Sequence, residues 1–427
     1  MKCRKTIVSV SSLMLAFAPA WAIDSGFQDY SSGYYTRGLE TAVYMDQGSG
    51  VIDPFYVPVK DWSLSPRITL TVTWDDNLYL DNDDPQRAEL IDVIPGALLI
   101  YGNPSQNYIY LDAGVNYSAY DSSKSLENTA NYLLTLGTVY RTGKTTLSGS
   151  AGYRRSETAD TVVGKRIVAD DFIVDAGIEH QLTAKSSGAV ALSSEFNQYE
   201  DPELNDYERQ TASLRLFNKV TEASDVYGEL GFGRDDIDTA EGHEGDASFT
   251  EASVGFRGKQ SAKLTVSGAA GYQWRTFQEG DQEDVEHWTS TLGANYNPFG
   301  FTTIYGGVGS SLTPAINSLG QTTVDIRYTL GLNRRLFTDR FTGNASVFYG
   351  MYDYLGTATG DAAVNNNRQD DYFGYNLGLD YYTVHNLSLG LTFSYFENEG
   401  NQNADAEGRD RTAYDSGRWV LRASWNY

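Results

Sequence analysis

Arginines and carboxylates recur at one parity along this chain. Arg67, Arg154, Arg215, Arg257, Arg275, Arg327 and Arg422 fall on the polar side of alternating stretches, and Asp112, Asp175, Glu195, Glu229, Asp325 and Asp380 share that side. Glu179, Glu251, Arg209, Arg335 and Arg418 extend the two rows. Guanidinium and carboxylate groups facing one another across a water-filled space make a field that orders polar solutes. The alternative is that the two signs only satisfy each other within a wall.

Residues for bond-breaking chemistry are scarcer. Of the four histidines, His180 and His385 adjoin short turns, while His243 and His287 fall in long acidic connections. His287 lies beside Glu283, Asp284 and Glu286, loosely like the acid and histidine pairs of surface proteases, but no serine at hydrolase spacing accompanies it. Asp235, Asp236, Asp238, Glu241, Glu244 and Asp246 are dense enough to draw Ca²⁺ or Mg²⁺ together with anionic lipopolysaccharide. They lack the ligand order and turn glycine of an EF-hand loop, and solvated charge accounts for them. The single cysteine, Cys3, and the scattered histidines offer no zinc set. No catalytic residue, metal or cofactor is expected, and the chain reads as a non-enzyme.

What positions the charged rows is a period of two. From Thr323 the odd positions run Thr323, Asp325, Arg327, Thr329, Gly331, Asn333, Arg335, and the even ones Val324, Ile326, Tyr328, Leu330, Leu332. The same split recurs in Arg67, Thr69, Thr71, Thr73 against Ile68, Leu70, Val72, Trp74. About eighteen such segments of roughly 10 to 14 residues follow Trp62, with 16 to 18 as the working range. Their connections alternate between short neutral or basic turns, such as Arg141-Thr142-Gly143-Lys144, and long ones that are mostly acidic, among them 81–89, 157–171, 200–206, 235–246, 279–286, 361–371 and 397–410. Segment 89–101 is the exception: it contains Pro95 and is apolar at both parities after Val93, which predicts a bulge at Pro95 and a contact with a plug inside. Nine hairpins of about 40 residues also approach the period of a β-propeller, but a blade needs four short strands in that length rather than two long ones.

The N-terminus gives an address. Lys2, Arg4 and Lys5 precede an apolar stretch to Pro19 and then Ala20-Trp21-Ala22, which reads as a secretory signal peptide over 1–22. Loss of its three basic residues makes the net charge of −24 more negative still, a field that repels phosphates and argues against nucleic acid as a partner. Mean hydropathy is −0.41, and no later apolar run approaches the ~20 residues of a spanning helix. Residues 23–61, rich in tyrosine, read as a periplasmic N-terminal segment or a plug, and 62–427 as the main body.

The last strand completes the pattern: Trp419, Leu421, Ala423, Trp425 and Tyr427 share one face. It resembles the aromatic-ended terminal strand of bacterial outer-membrane barrels, in which Trp419, Leu421, Trp425 and Tyr427 would be read by the barrel-assembly machinery. Taken whole, the chain resembles the outer-membrane β-barrel porin families of Gram-negative-type bacteria, in particular the porin-2-like group. The resemblance implies an all-β, transmembrane, antiparallel up-and-down barrel in the outer membrane. Long acidic loops would be extracellular and both termini periplasmic.

Its expected function is passive diffusion of small hydrophilic solutes. The arginines and acids named first are the pore-lining candidates, because an arginine facing lipid at mid-depth costs ~2 to 4 kcal/mol. An aromatic set on the polar parity, Tyr108, Tyr110, Tyr305, Phe348, Tyr352, Tyr372 and Tyr382, invites comparison with the sugar slide of maltoporin-like channels. Two alternatives stay open: a plugged structural barrel serving surface-polysaccharide export or an envelope complex, and a surface-exposed adhesin. Outer-membrane lipid, lipopolysaccharide and the assembly machinery are the implied partners. No trimer seam stands out from the lipid-facing pattern, so homo-oligomerisation stays open.

Overall fold

The computed structural model describes residues 62–80, 85–104, 106–121, 128–160, 165–202, 204–238, 246–278, 284–314, 322–355, 369–383, 386–400 and 413–426. The signal-peptide and leader readings, and Tyr427, lie outside the described residues. The first nine strands are β1 (Trp62–Asp75), β2 (Ala88–Gly102), β3 (Tyr108–Tyr120), β4 (Thr129–Arg141), β5 (Thr145–Asp160), β6 (Lys165–Gln181), β7 (Ser186–Tyr199), β8 (Asp206–Thr221) and β9 (Ser224–Asp238). The others are β10 (Ala247–Lys259), β11 (Leu264–Phe277), β12 (Val285–Phe299), β13 (Thr302–Pro314), β14 (Thr322–Leu336), β15 (Phe341–Leu355), β16 (Gln369–Tyr382), β17 (Leu387–Gly400) and β18 (Tyr414–Asn426).

Each strand pairs antiparallel with its chain neighbours, and β18 returns to β1, so the 18-stranded sheet closes. Closure removes the free edge that a flat sheet would leave unpaired. The closing ladder runs from Arg67 opposite Asn426 to Asp75 opposite Arg418 and sets Trp74 against Trp419. At the short-turn end tight connections use local chemistry: Gly102 adopts φ 101°, and the Thr183 hydroxyl accepts from the amides of Lys185 (3.1 Å) and Ser186 (3.0 Å).

The outer wall shows what the barrel stands in. Outward positions such as Leu70, Leu134, Leu192, Leu230, Leu330 and Leu421 are exposed, although they are among the most apolar side chains of the chain. Outward charges gather near the strand ends, at Glu89, Arg155, Asp170, Arg234, Glu286, Asp371 and Asp415 on the long-loop side and Arg334 on the other. Between those rims an outward, exposed row such as Tyr132 to Tyr140 of β4 spans nine residues, roughly 23 Å at ~3.3 Å per residue and ~40° tilt. That is close to the ~25 Å apolar band of a membrane barrel. Aromatic girdles flank it, with Trp74, Tyr117, Tyr132, Trp274, Trp288 and Trp419 towards the long loops and Trp62, Tyr101, Tyr140, Tyr296 and Trp425 towards the short turns. Among the described residues no helix is long and apolar enough to cross a membrane.

Three local expectations need correction. At Pro95 there is no bulge: the β1 ladder runs through Ile68 opposite Pro95 unbroken, and the β3 ladder skips Ile94 and Pro95 without a change of register. A missing N–H therefore costs a local gap and not an inserted residue. The connection expected over 157–171 is mostly strand, because β5 and β6 pair from Arg155 opposite Asp170 out to Asp160 opposite Lys165. Likewise β9 continues to Asp238, so Asp235, Asp236 and Asp238 are strand residues rather than loop ligands. Among the described residues no group of acids and histidines has metal-binding geometry.

Candidate functional site: the inner wall

Arginine and carboxylate partners meet on the inner face, mostly on adjacent strands or one strand apart. Arg154 of β5 binds Asp171 of β6, its register partner, and Arg215 of β8 binds Glu229 of β9 at 2.8 Å. Arg257 of β10 reaches Asp225 at 3.3 Å and Glu179 of β6 at 3.6 Å, with its guanidinium 3.9 Å over the Phe217 ring. Arg209 and Arg275 converge on one buried carboxylate, Asp235, with their guanidiniums 5.9 and 5.7 Å from the centre of the Phe249 ring. At the β1–β18 seam Arg418 pairs with Asp75 at 2.6 Å. Among the described residues, the carboxylate nearest Arg335 is that of the exposed Asp339, at 3.8 Å.

Some partners lie two strands apart, and a glycine on the strand between makes the reach possible. Arg67 of β1 crosses Gly96 of β2 to bind Asp112 of β3 at 2.6 Å; a β-carbon on Gly96 would stand 3.0 Å from the Arg67 Nε. Arg422 of β18 crosses Gly390 of β17 to Asp380 of β16, where a β-carbon would stand 2.6 Å from the Asp380 carboxylate. Asp325 of β14 accepts from the Tyr372 hydroxyl at 2.8 Å across Gly350 of β15. Arg327 lies 5.2 Å above the Phe348 ring.

The inward aromatics follow the same rule. Tyr110 pairs directly with Gly137, Tyr227 with Gly255, Phe249 with Gly233, Tyr305 with Gly331, Phe348 with Gly374 and Tyr372 with Gly350. In each pair a β-carbon on the glycine would stand 2.1 to 2.4 Å from a ring carbon, which no real contact allows. The rings therefore lie down on the glycines instead of standing into the lumen, which shields bare backbone and keeps the bore wide. A sugar slide needs rings presented to a solute. Tyr352, Tyr372, Phe348, Phe396 and Tyr414 instead form a packed row across β15 to β18, with Tyr352 and Tyr372 stacked at 4.8 Å and Phe396 and Tyr414 at 5.9 Å.

That row is the seat of an inward turn after β1. Leu80 packs on Phe348, Tyr372, Phe396 and Tyr414, and Leu78 packs on Ala88 and Tyr120, the two leucines being 5% and 2% exposed. Polar ties fix the turn's root: the Asp76 amide donates to the Gly417 carbonyl (3.2 Å), the Gly417 amide to Asp76 (2.6 Å), and the Asn77 side-chain amide to the Asp415 carbonyl (2.8 Å). Leu80 adopts φ 56°, a left-handed conformation costly for leucine and held by its burial.

Other expected residues take different places. His287 is the third residue of β12 and lies on the inner parity, not in a loop, while His180 stands on the outer face against the Thr145 hydroxyl at 2.8 Å. His243 and His385 lie outside the described residues. Asp175 accepts from Ser193 (2.7 Å) and Ser150 (3.3 Å), and Glu195 from Tyr207 (2.9 Å). Trp419, Leu421 and Trp425 stand exposed on the outer face. Sequence reasoning missed Asp75, Asp171, Asp225 and Asp235 as arginine partners; Asp75 shares parity with Arg67, a usable signal, whereas Asp171 and Asp235 were hidden by placing strand ends too early.

The FrpB iron transporter of Neisseria meningitidis (F5-1 variant, apoprotein form) is 9% identical over 86% of this chain and 81% of its own, with a TM-score of 0.48. OccAB4 of Acinetobacter baumannii is 12% identical over 85% and 98%, with a TM-score of 0.46. OpdK of Pseudomonas aeruginosa, solved with vanillate, is 11% identical over 85% and 99%, again at 0.46. No curated protein matches the sequence. The profile of the family described as "Putative beta-barrel porin 2" matches residues 53–412, and the chain belongs to that family, porin-like barrels of the bacterial outer membrane and not a family of enzymes.

Proposed function

We propose that the protein is a passive diffusion channel for small hydrophilic solutes, with its long acidic loops outside the cell and its short turns and termini in the periplasm. The observation that carries this reading is the flat seating of inward aromatics on glycines in a wall whose other inner side chains, apart from an apolar run on β2 and scattered aliphatics, are polar. Eighteen strands enclose a backbone cylinder roughly 36 Å across, wider than wall side chains alone can fill. Arg67, Asp112, Arg154, Asp175, Glu195, Arg215, Glu229, Arg257, Arg275, Asp325, Arg327, Asp380 and Arg422 would line it. Trp419, Leu421, Trp425 and Tyr427 would serve the assembly machinery, and the outer girdles would meet lipid and lipopolysaccharide.

The inward turn at Leu78 and Leu80 favours one second reading, a structural or export-associated barrel whose lumen is stoppered. Single-channel recording of the detergent-folded protein in planar bilayers separates the two. Stable steps of nanosiemens order support the channel. Silence from protein shown to be folded by its heat-modifiable gel shift selects the stoppered barrel.

A further inference from the structure

Among the described residues the inner wall holds carboxylates that no guanidinium pairs with, while Arg327 lies over the Phe348 ring and Arg335 stands near the short-turn end of β14. Arg67, Arg154, Arg215, Arg257, Arg275 and Arg422 are each committed to a carboxylate. Asp92, Asp175, Glu195 and Glu251 are held differently. Thr71 and Ser118 donate to Asp92, Ser150 and Ser193 to Asp175, Tyr207 to Glu195, and Thr289 to Glu251 at 2.8 Å, with no lysine or arginine at ion-pair distance among the described residues. A hydroxyl donor favours the ionised form of a carboxylate without neutralising it.

Accessibility overlaps between the two sets, since arginine-bound Glu229, Asp225 and Asp380 are also half-buried, and what distinguishes the second set is the lack of a cationic partner among the described residues. The arginine-bound Asp112, Asp171 and Asp235 are buried, whereas Asp92, Asp175, Glu195 and Glu251 are half-buried and open to the lumen. They sit on β2, β6, β7 and β10, from near the long-loop end at Asp92 to the deeper Asp175. On the same parity Lys219 and Lys259 are exposed at the short-turn ends of β8 and β10, where bulk water and salt screen them. Arg141 there is occupied by the Gln106 and Pro104 carbonyls at 2.9 and 3.2 Å.

We infer that these hydroxyl-held carboxylates make the channel select cations, meaning hydrated metal ions and small organic amines, over anions. The inference rests on the open-channel reading above and names its solute class. Fixed uncompensated charge inside a confined bore concentrates counter-ions along the whole path, an effect that charge at the mouth alone does not reproduce.

The test is the reversal potential of the full chain in a KCl gradient, for wild type, for Asp175→Asn alone, and for the triple variant Asp92→Asn, Asp175→Asn, Glu195→Gln. These near-isosteric changes keep one acceptor oxygen at each site, and at positions 92 and 175, where two hydroxyls bond to different oxygens, the second hydroxyl can turn to accept from the new amide NH2. Wild type should pass K⁺ over Cl⁻ by roughly fivefold or more, and the triple variant should lose at least about half of that preference with its conductance largely kept. Asp175→Asn alone should move in the same direction and serves if the triple variant fails to fold. An outer-rim control, Glu200→Gln with Glu208→Gln, should change nothing. Conduction by wild type with an unchanged reversal potential in the variants, or with anion preference, overturns this inference alone. Silence from folded wild type overturns the channel reading and this inference with it.

Discussion

Arg422 and Asp380 hold one another across a strand that neither belongs to, over the bare backbone of Gly390. The pair staples β16 to β18 at the last closure of the barrel, next to the β1 seam. Gly390→Leu should split it and strand two half-buried charges, costing about 2 to 4 kcal/mol. Guanidinium unfolding of the detergent-folded barrel checks this, and an unchanged midpoint would show the pair to be incidental. Gly390→Ala should cost less, since the Asp380 carboxylate can swing aside.

Leu80→Asp should release the inward turn from its aromatic seat. Roughly 2 kcal/mol of apolar burial is lost at a site away from the strand ladders, so the barrel should still fold. On the channel reading the variant conducts in larger and noisier steps than wild type. Identical steps would mean that the turn does not narrow the path.

Gly350→Val should do the reverse. A side chain there forces the Tyr372 ring off the wall and breaks its bond to Asp325. Single-channel conductance should fall while the gel shift of the folded barrel persists. A conductance equal to wild type would show that the displaced ring finds another place against the wall.

The two faces of one strand offer the plainest test of the membrane assignment. Leu330→Arg places a charge in the apolar outer band of β14 and should cost ~2 to 4 kcal/mol, while Thr329→Arg, one residue away, faces the lumen and should be tolerated. Folding yield into phospholipid vesicles, read by gel shift, compares them. Equal yields would reject the lipid-facing assignment.

Much of this was legible because a period of two is written residue by residue. Thr323 to Arg335 on one side and Val324 to Leu332 on the other already separate lumen from lipid, and the eight tight turns punctuate the strands where Gly102 or Thr142 permits. What stayed hidden was whatever depends on neighbours far apart in sequence. Asp171 and Asp235 look like loop acids until strand pairing carries them inside to Arg154 and Arg209. Pro95 looked like a break because the sequence does not say that the gap it opens can be absorbed on one side of its strand. Nor does anything local in Leu78 and Leu80 reveal a turn that crosses β18 and β17 to rest on Phe348 and Tyr372.

The pairing of inward rings with inward glycines leaves a wall that can be rebored from within. Each glycine is a vacancy on the lumen side only, so exchanging it, or the ring it carries, alters the passage without altering a single atom presented to lipid. Variation in what passes and constancy in what the membrane contacts would then be inherited on separate, interleaved positions of the same strands. On the channel reading, a lineage could change its diet of solutes while keeping one unchanging exterior.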